Sequence, residues 1–328
     1  MNEPMKRFFV SVAALVLATT PVAAQDWPTK PVRLIVPYAA GSTPDIVGRI
    51  LAEHLQAKYQ GKHPGINVIV ENRTGAGGNT GTDAVAKAEP DGATIGISLG
   101  GPLAINTLLF AKLPYDPAKD IAPVSMLTTL PSVLVVPVSL GVNSVAEFVA
   151  LVKRDPAKVA FGSIGVGSLS HLTMEAIAQR AGTKLVHIPY GGSPQAVTAV
   201  IRGDVQAACL PAISVTPQLA TGAVKILAVS TTKRSPHLPD VPTLKESGID
   251  VESDAWNALI APAGTPRPVV DKINADVREI LGKPDVREKL KLQLIDAAPS
   301  SPEELRARID AEIKLWADVI KAADVKIN

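Results

Sequence analysis

The chain has 328 residues, 46% hydrophobic and 20% charged, with 33 Lys and Arg against 31 Asp and Glu. That length suits about two packed domains rather than a disordered chain, and near-neutral charge with 4% aromatics excludes a basic, base-stacking nucleic-acid surface. The single cysteine, Cys209, excludes an internal disulfide and a cysteine-based zinc cluster.

The first feature in chain order is a leader. Lys6 and Arg7 precede an apolar run over 8–18, Pro21 breaks the run, and Val22-Ala23-Ala24 places small residues for cleavage after Ala24. The run is shorter than the roughly 20 apolar residues that a membrane span needs. A cleaved signal peptide over 1–24 is therefore expected, with a mature chain exported to the periplasm.

Strands and helices then alternate. A β-branched strand over 32–36 leads to a helix start at Thr43-Pro44, with Thr43 as N-cap and an apolar stripe of Ile46, Val47, Ile50, Leu51 and Leu55. A strand over 66–70, the Gly-rich run 75–81, a short Ala-rich helix and a strand over 94–98 follow. The middle predicts strands at 124–130, 133–136, 159–161, 185–188, 205–209 and 224–229, with helices near 169–180, 194–202 and 213–220. Ser144 with Glu147, and Ser301 with Glu304, read as capping boxes, and Gly203 as a helix C′ residue. A last strand over 256–261 precedes a helix starting at Thr265-Pro266. This order is that of βαβ units and a mostly parallel α/β architecture.

Motifs for catalysis are weak. Gly96-Ile97-Ser98-Leu99-Gly100 matches G-x-S-x-G at a strand end, so Ser98 is a candidate hydrolase nucleophile, though no His-Gly-Gly-Gly segment precedes it. Residues 75–81 narrowly miss the dinucleotide fingerprint, and no phosphate-binding G-K-[ST] is present. The five histidines have no metal-ligand spacing. Neither a cofactor nor a metal is expected. What remains is a set of small-residue loops between strands and helices: 38–43, 98–101, 162–170 and 190–193. Such loops expose backbone N–H groups at helix starts. With no Lys or Arg in them, they suit a carboxylate better than a polyphosphate.

The order of motifs resembles the solute-binding proteins of tripartite tricarboxylate transporters, the Bug family. The marks are Pro37-Tyr38-Ala39-Ala40-Gly41-Ser42-Thr43-Pro44-Asp45, then Val70-Glu71-Asn72-Arg73-Thr74-Gly75-Ala76-Gly77-Gly78-Asn79-Thr80-Gly81, Pro90-Asp91-Gly92, Leu113-Pro114-Tyr115-Asp116-Pro117, Ile188-Pro189-Tyr190-Gly191-Gly192, Leu238-Pro239-Asp240-Val241-Pro242-Thr243 and Ala261-Pro262-Ala263-Gly264-Thr265-Pro266. The resemblance runs from Trp27 to about Trp316. It implies a two-lobed Venus-flytrap fold, each lobe a mostly parallel sheet flanked by helices. Lobe one would be 25–124 plus 252–328, lobe two 125–251, and two crossing strands near 124–136 and 256–261 the hinge.

The resemblance further implies that a small organic acid is held without chemistry and delivered to integral-membrane transporter subunits, by a protein acting as a monomer. Tyr38, Ala40, Gly41, Ser42, Thr43 and Asp45 of the first loop would hold the ligand carboxylate, helped by Ser98 and Gly100. Gly165, Gly167, Ser168, Ser170 and His171, with Tyr190, Gly191 and Gly192, would meet the distal end. The chain departs from the family at Ser42, where a second glycine is usual. It departs again at Leu210, where an acid or amide is common, and at Asn257, where an aromatic follows the hinge Trp256. The missing acid at 210 argues against an amino-acid ligand. Two alternatives remain: a secreted serine hydrolase using Ser98, and a ligand-loaded partner of a membrane sensor.

Overall fold

The computed structural model describes residues 27–325; the leader and its expected cleavage site lie outside them. The first stretch holds β1 (Val32–Val36), α1 (Thr43–Gln60), β2 (Val68–Asn72), α2 (Asn79–Ala86), β3 (Thr94–Leu99), α3 (Asn106–Leu109) and β4 (Ile121–Leu130). The middle holds β5 (Ser132–Pro137), α4 (Val145–Arg154), β6 (Ala160–Ser163), α5 (Leu169–Arg180), β7 (Val186–Pro189), α6 (Ser193–Arg202), β8 (Ala207–Pro211), α7 (Ala212–Leu219) and β9 (Val224–Val229). The tail holds β10 (Ala255–Pro262), α8 (Arg267–Gly282), α9 (Pro284–Lys291), β11 (Asp296–Ala297) and α10 (Pro302–Ala323).

The helices start close to where capping residues place them. Ser301 and Glu304 form the reciprocal capping box at α10, at 3.1 and 2.7 Å. At α4 the box is shifted: Ser144 Oγ accepts from Glu147 N, but Glu147 Oε2 accepts from the Asn143 N–H instead of the Ser144 N–H. The α1 N-cap is Ser42, not Thr43; Ser42 has the extended ψ of a cap and Pro44 falls in the first turn. The helix expected at Thr265 begins at Arg267, after Pro266. Gly203 takes the left-handed conformation expected after α6, with φ 76°.

Two sheets result. The first has the order β11-β4-β10-β3-β1-β2 and the second β7-β6-β8-β5-β9. Both are mixed rather than mostly parallel. β1 runs parallel to β2 and β3, and β6 to β7 and β8, as βαβ units must. β10 is antiparallel to β3 and β4, and β5 is antiparallel to β8 and β9. The physical reason is connectivity: β5 and β10 enter their sheets from the other sheet, without a crossover helix that would set a parallel direction.

The chain passes between the sheets at Pro131, from β4 into β5, and returns over 230–254. The crossings lie side by side, because Ala255 pairs with Leu130, while Ser230 N donates to Ser132 O and Ser253 N to Ser230 O. The expected limit at 124/125 falls inside β4, a strand of the first sheet.

Apolar clusters cover both faces of each sheet. α10 joins two of them. Leu305 and Ile309 pack with Trp256, Ala258 and Ile260 of the first sheet. Trp316, Val319 and Ile320 pack with Phe148, Phe161 and Leu172 around the second. The last helix is therefore shared, although its residues were expected to belong to lobe one alone.

Candidate functional site

The ends of β1, β3 and β6 face one another across the junction of the sheets and enclose a cleft of about 440 Å³. Tyr38, Gly77, Gly100 and Gly101 line it from the first sheet, and residues 164–169 from the second. Ile105, Phe110, Leu99, Ile164, Val166 and Leu169 give it an apolar wall. Asp254, Ala255, Trp256 and Glu312 close the side next to the crossings. No lysine or arginine lines it among the described residues.

The first loop is shaped from beneath by Asp45, a nearly fully buried residue of α1. Its Oδ2 accepts from Gly41 N at 2.8 Å and Arg49 Nε at 2.9 Å, and its Oδ1 from Asn72 Nδ2 at 2.8 Å. Burial acts to raise the Asp45 carboxyl, but the donors on Arg49, Gly41 and Asn72 hold it below the ordinary carboxylate range. Asn72 also donates to Tyr38 O, and the Tyr38 hydroxyl donates to Gly77 O at 2.9 Å. Burial pushes the Tyr38 phenol up, so it remains a protonated donor.

This geometry reassigns part of the first loop. The Gly41 N–H, expected to point at a carboxylate, is already bonded to Asp45, and Gly41 needs its glycine for a φ of +80°. Asp45 positions the loop and does not line the cleft. Ala40, Ser42 and Thr43 also lie outside the cleft lining, although Ser42 Oγ is buried with no hydrogen-bond partner.

The 163–171 segment likewise spends its polar side chains on itself. Ser168 Oγ donates to Gly165 O at 2.6 Å, Ser170 Oγ accepts from Ile164 N at 2.9 Å, and His171 Nδ1 accepts from Gly167 N at 3.0 Å. His171 is 4% exposed and its ring stacks on His187 at 3.7 Å between centroids. His187 Nε2 in turn meets Ser163 Oγ at 2.7 Å. Burial, aided by the neighbouring His171, pushes the His187 imidazole down to about 4, so the stack is neutral at that ring. Gly165, Gly167 and Ser168 line the cleft; Ser170 and His171 stand behind it.

Other expected residues lie elsewhere. Ser98 is fully buried inside β3 and bonds Thr82 Oγ1 at 2.8 Å, whereas the serine of a nucleophile elbow stands exposed on a turn after its strand. Tyr190, Gly191 and Gly192 do not line the cleft, and Tyr190 packs near Gly162. Leu210 is buried in β8 opposite Val133, and Asn257 Nδ2 donates to Thr128 Oγ1; neither faces the cleft. The expected loops therefore contribute Tyr38, Gly100, Gly165, Gly167 and Ser168 to one site.

Sequence reasoning missed Glu312, Asp254, Asn106 and Phe110. A signal for Glu312 was present: Leu305, Ile309, Glu312 and Trp316 share the helical spacing of one buried stripe, where a carboxylate is out of place. Among the described residues no cluster suited to a metal ion occurs.

Comparison with known proteins gives a consistent answer. The family described as "Tripartite tricarboxylate transporter family receptor" matches residues 48–325. Protein BugT of Bordetella pertussis is 34% identical over 322 residues, spanning 98% of this chain and 96% of BugT. Among solved structures, R. palustris Rpa4515 with adipate is 33% identical with a TM-score of 0.77, covering 92% of this chain and 99% of that one. MatC from Rhodopseudomonas palustris with bound malate is 31% identical with a TM-score of 0.71, covering 90% and 100%.

Proposed function

The chain belongs to the tripartite tricarboxylate transporter receptor family, and from that premise we propose that residues at its strand ends hold the acid it carries. It is a solute-binding protein that captures a small carboxylate for a membrane transporter, as its relatives' adipate and malate complexes support. It works by binding and release and catalyses nothing. The observation that carries the site assignment is the cleft itself: it lies between the two sheets, is lined by Tyr38, Gly77, Gly100, Gly165, Gly167 and Ser168, and among the described residues takes no lysine or arginine. A carboxylate there is held by neutral donors, each contributing about 1.5–3 kcal/mol to a charged partner.

The mechanism is hinge closure. The lobes meet at the paired crossings near Pro131 and 253–255, and a ligand that touches both strand-end loops favours the closed arrangement. This reading takes the crossings, rather than 124/125, as the lobe limits. The mature protein is periplasmic, released by cleavage after Ala24, and acts as a monomer. A thermal-shift screen over small organic acids tests this reading. An acid present at about 100 times its dissociation constant adds roughly 2.7 kcal/mol, a clear rise in melting temperature; a flat response across mono-, di- and tricarboxylates would contradict it.

A further inference from the structure

Glu312 sits on the buried stripe of α10 and is 6% exposed, yet its carboxylate is held at one oxygen only. Oε1 accepts from Trp256 Nε1 at 2.6 Å and from Arg308 Nε and Nη2 at 2.9 and 2.7 Å. Oε2 has no hydrogen-bond partner among the described residues. It faces position 100, where a β-carbon would stand 3.0 Å from it and 3.1 Å from the Trp256 indole. Gly100 and Glu312 both line the cleft. Any side chain at 100 would cover Oε2, so the glycine keeps the route from the cleft to this oxygen clear.

The charge on this wall has one sign left over. Arg308 also donates to Asp254 at 2.5 Å, so two carboxylates share one guanidinium. Burial pushes the Glu312 carboxyl up, and the Arg308 charge and the Trp256 N–H oppose that; three donors gathered on Oε1 are the pattern of an ionised acceptor. Oε2 is not among the buried unpartnered atoms and Glu312 lines the cleft, so a ligand that displaces water from this oxygen without bringing a donor leaves it unpaired at a cost. A second ligand carboxylate here would add like charge, whereas an ammonium supplies both the missing hydrogen bond and the missing positive charge.

We infer that Glu312 Oε2 is a recognition point for an ammonium group on the ligand, so that this chain selects an amino-bearing monocarboxylate over the dicarboxylate of the same length. The inference rests on the carboxylate reading of the cleft. The neutral loops take the carboxylate, the apolar wall takes the carbon chain, and Glu312 takes the amine.

The test is calorimetry at pH 7 on the mature protein with acids of four, five and six carbons. Each length is tried as the plain monocarboxylate, the 2-amino acid, the ω-amino acid and the dicarboxylate. At the best length one amino acid should bind at least tenfold more tightly than the plain acid and the dicarboxylate, about 1.4 kcal/mol. Glu312→Gln should collapse that preference to threefold or less. Gly100→Ala, which keeps the carboxylate but covers it, should do the same. Plain acids or dicarboxylates that match the amino acids would overturn the inference and leave the carboxylate reading standing. A preference that survives both substitutions would overturn it as well, by removing Glu312 from recognition. If no acid of the series binds, the carboxylate reading fails and the inference with it.

Discussion

Asp45 and Glu312 are both almost fully buried carboxylates beside the cleft, yet their surroundings treat them in opposite ways. Asp45 accepts at both oxygens, from a backbone N–H, an arginine and an asparagine, and is held below the ordinary carboxylate range. Glu312 accepts at one oxygen, and burial pushes it up. A carboxylate with both oxygens engaged by the protein shapes the backbone around it. One with an oxygen left over toward a cleft can act on whatever enters. The pair separates positioning from recognition; two substitutions test that separation, and a titration tests the segment that faces them from the second sheet.

The largest effect is expected at Asp45. Asp45→Ala strips the acceptor from the Gly41 N–H, Arg49 and Asn72 at once, so a stability loss of about 3 kcal/mol and a disordered first loop are expected. Urea unfolding measures it. A loss below about 1 kcal/mol would show that the loop does not depend on this carboxylate.

Next is the second sheet, where His187 of β7, stacked on His171, is expected to give a pH dependence. Its imidazole is pushed down to about 4 from an ordinary 6.5. Between those values the unfolded chain binds the extra proton, so stability should fall as pH is lowered from about 6.5 towards 4, by roughly 1–3 kcal/mol. Substituting His187 by Gln should flatten that part of the curve, as read by melting temperature against pH. An unchanged slope would free the stack of this role.

The smallest stability change is expected for Glu312→Gln, about 1 kcal/mol, since the amide oxygen can still accept from Trp256. If it destabilises the fold as much as Asp45→Ala, Glu312 is structural and the contrast between the two carboxylates disappears.

The fold was legible wherever local chemistry decides it. Ser301 and Glu304 marked α10, the stripe from Val47 to Leu55 marked α1, and α5 lies at 169–180 as its pattern required. Strand ends were less legible. β2 runs to Asn72 rather than ending at Val70, because it is an edge strand that tolerates Glu71, paired with Arg33 and Arg73, and because the Asn72 side chain is held by Tyr38 O and Asp45. The mixed sheets were hidden, since the direction of β10 depends on where the chain returns from the second sheet. In the site, the glycines of the strand-end loops were readable, but the duties of Asp45, Ser170 and His171 were not. A short polar side chain near a loop bonds the loop or a ligand equally well on paper, and only packing distinguishes the two. Glu312 required noticing a charge on an apolar stripe far from any loop.

The central claim is that the cleft recognises a carboxylate through neutral donors, and comparing an acid with its own neutral amide tests it most directly. Calorimetry at pH 7 with the tightest-binding acid from the screen and the amide of its carboxylate should show at least tenfold weaker binding for the amide, about 1.4 kcal/mol, because the amide brings no charge for the neutral donors of the strand-end loops to stabilise. Equal affinity for acid and amide would contradict the account.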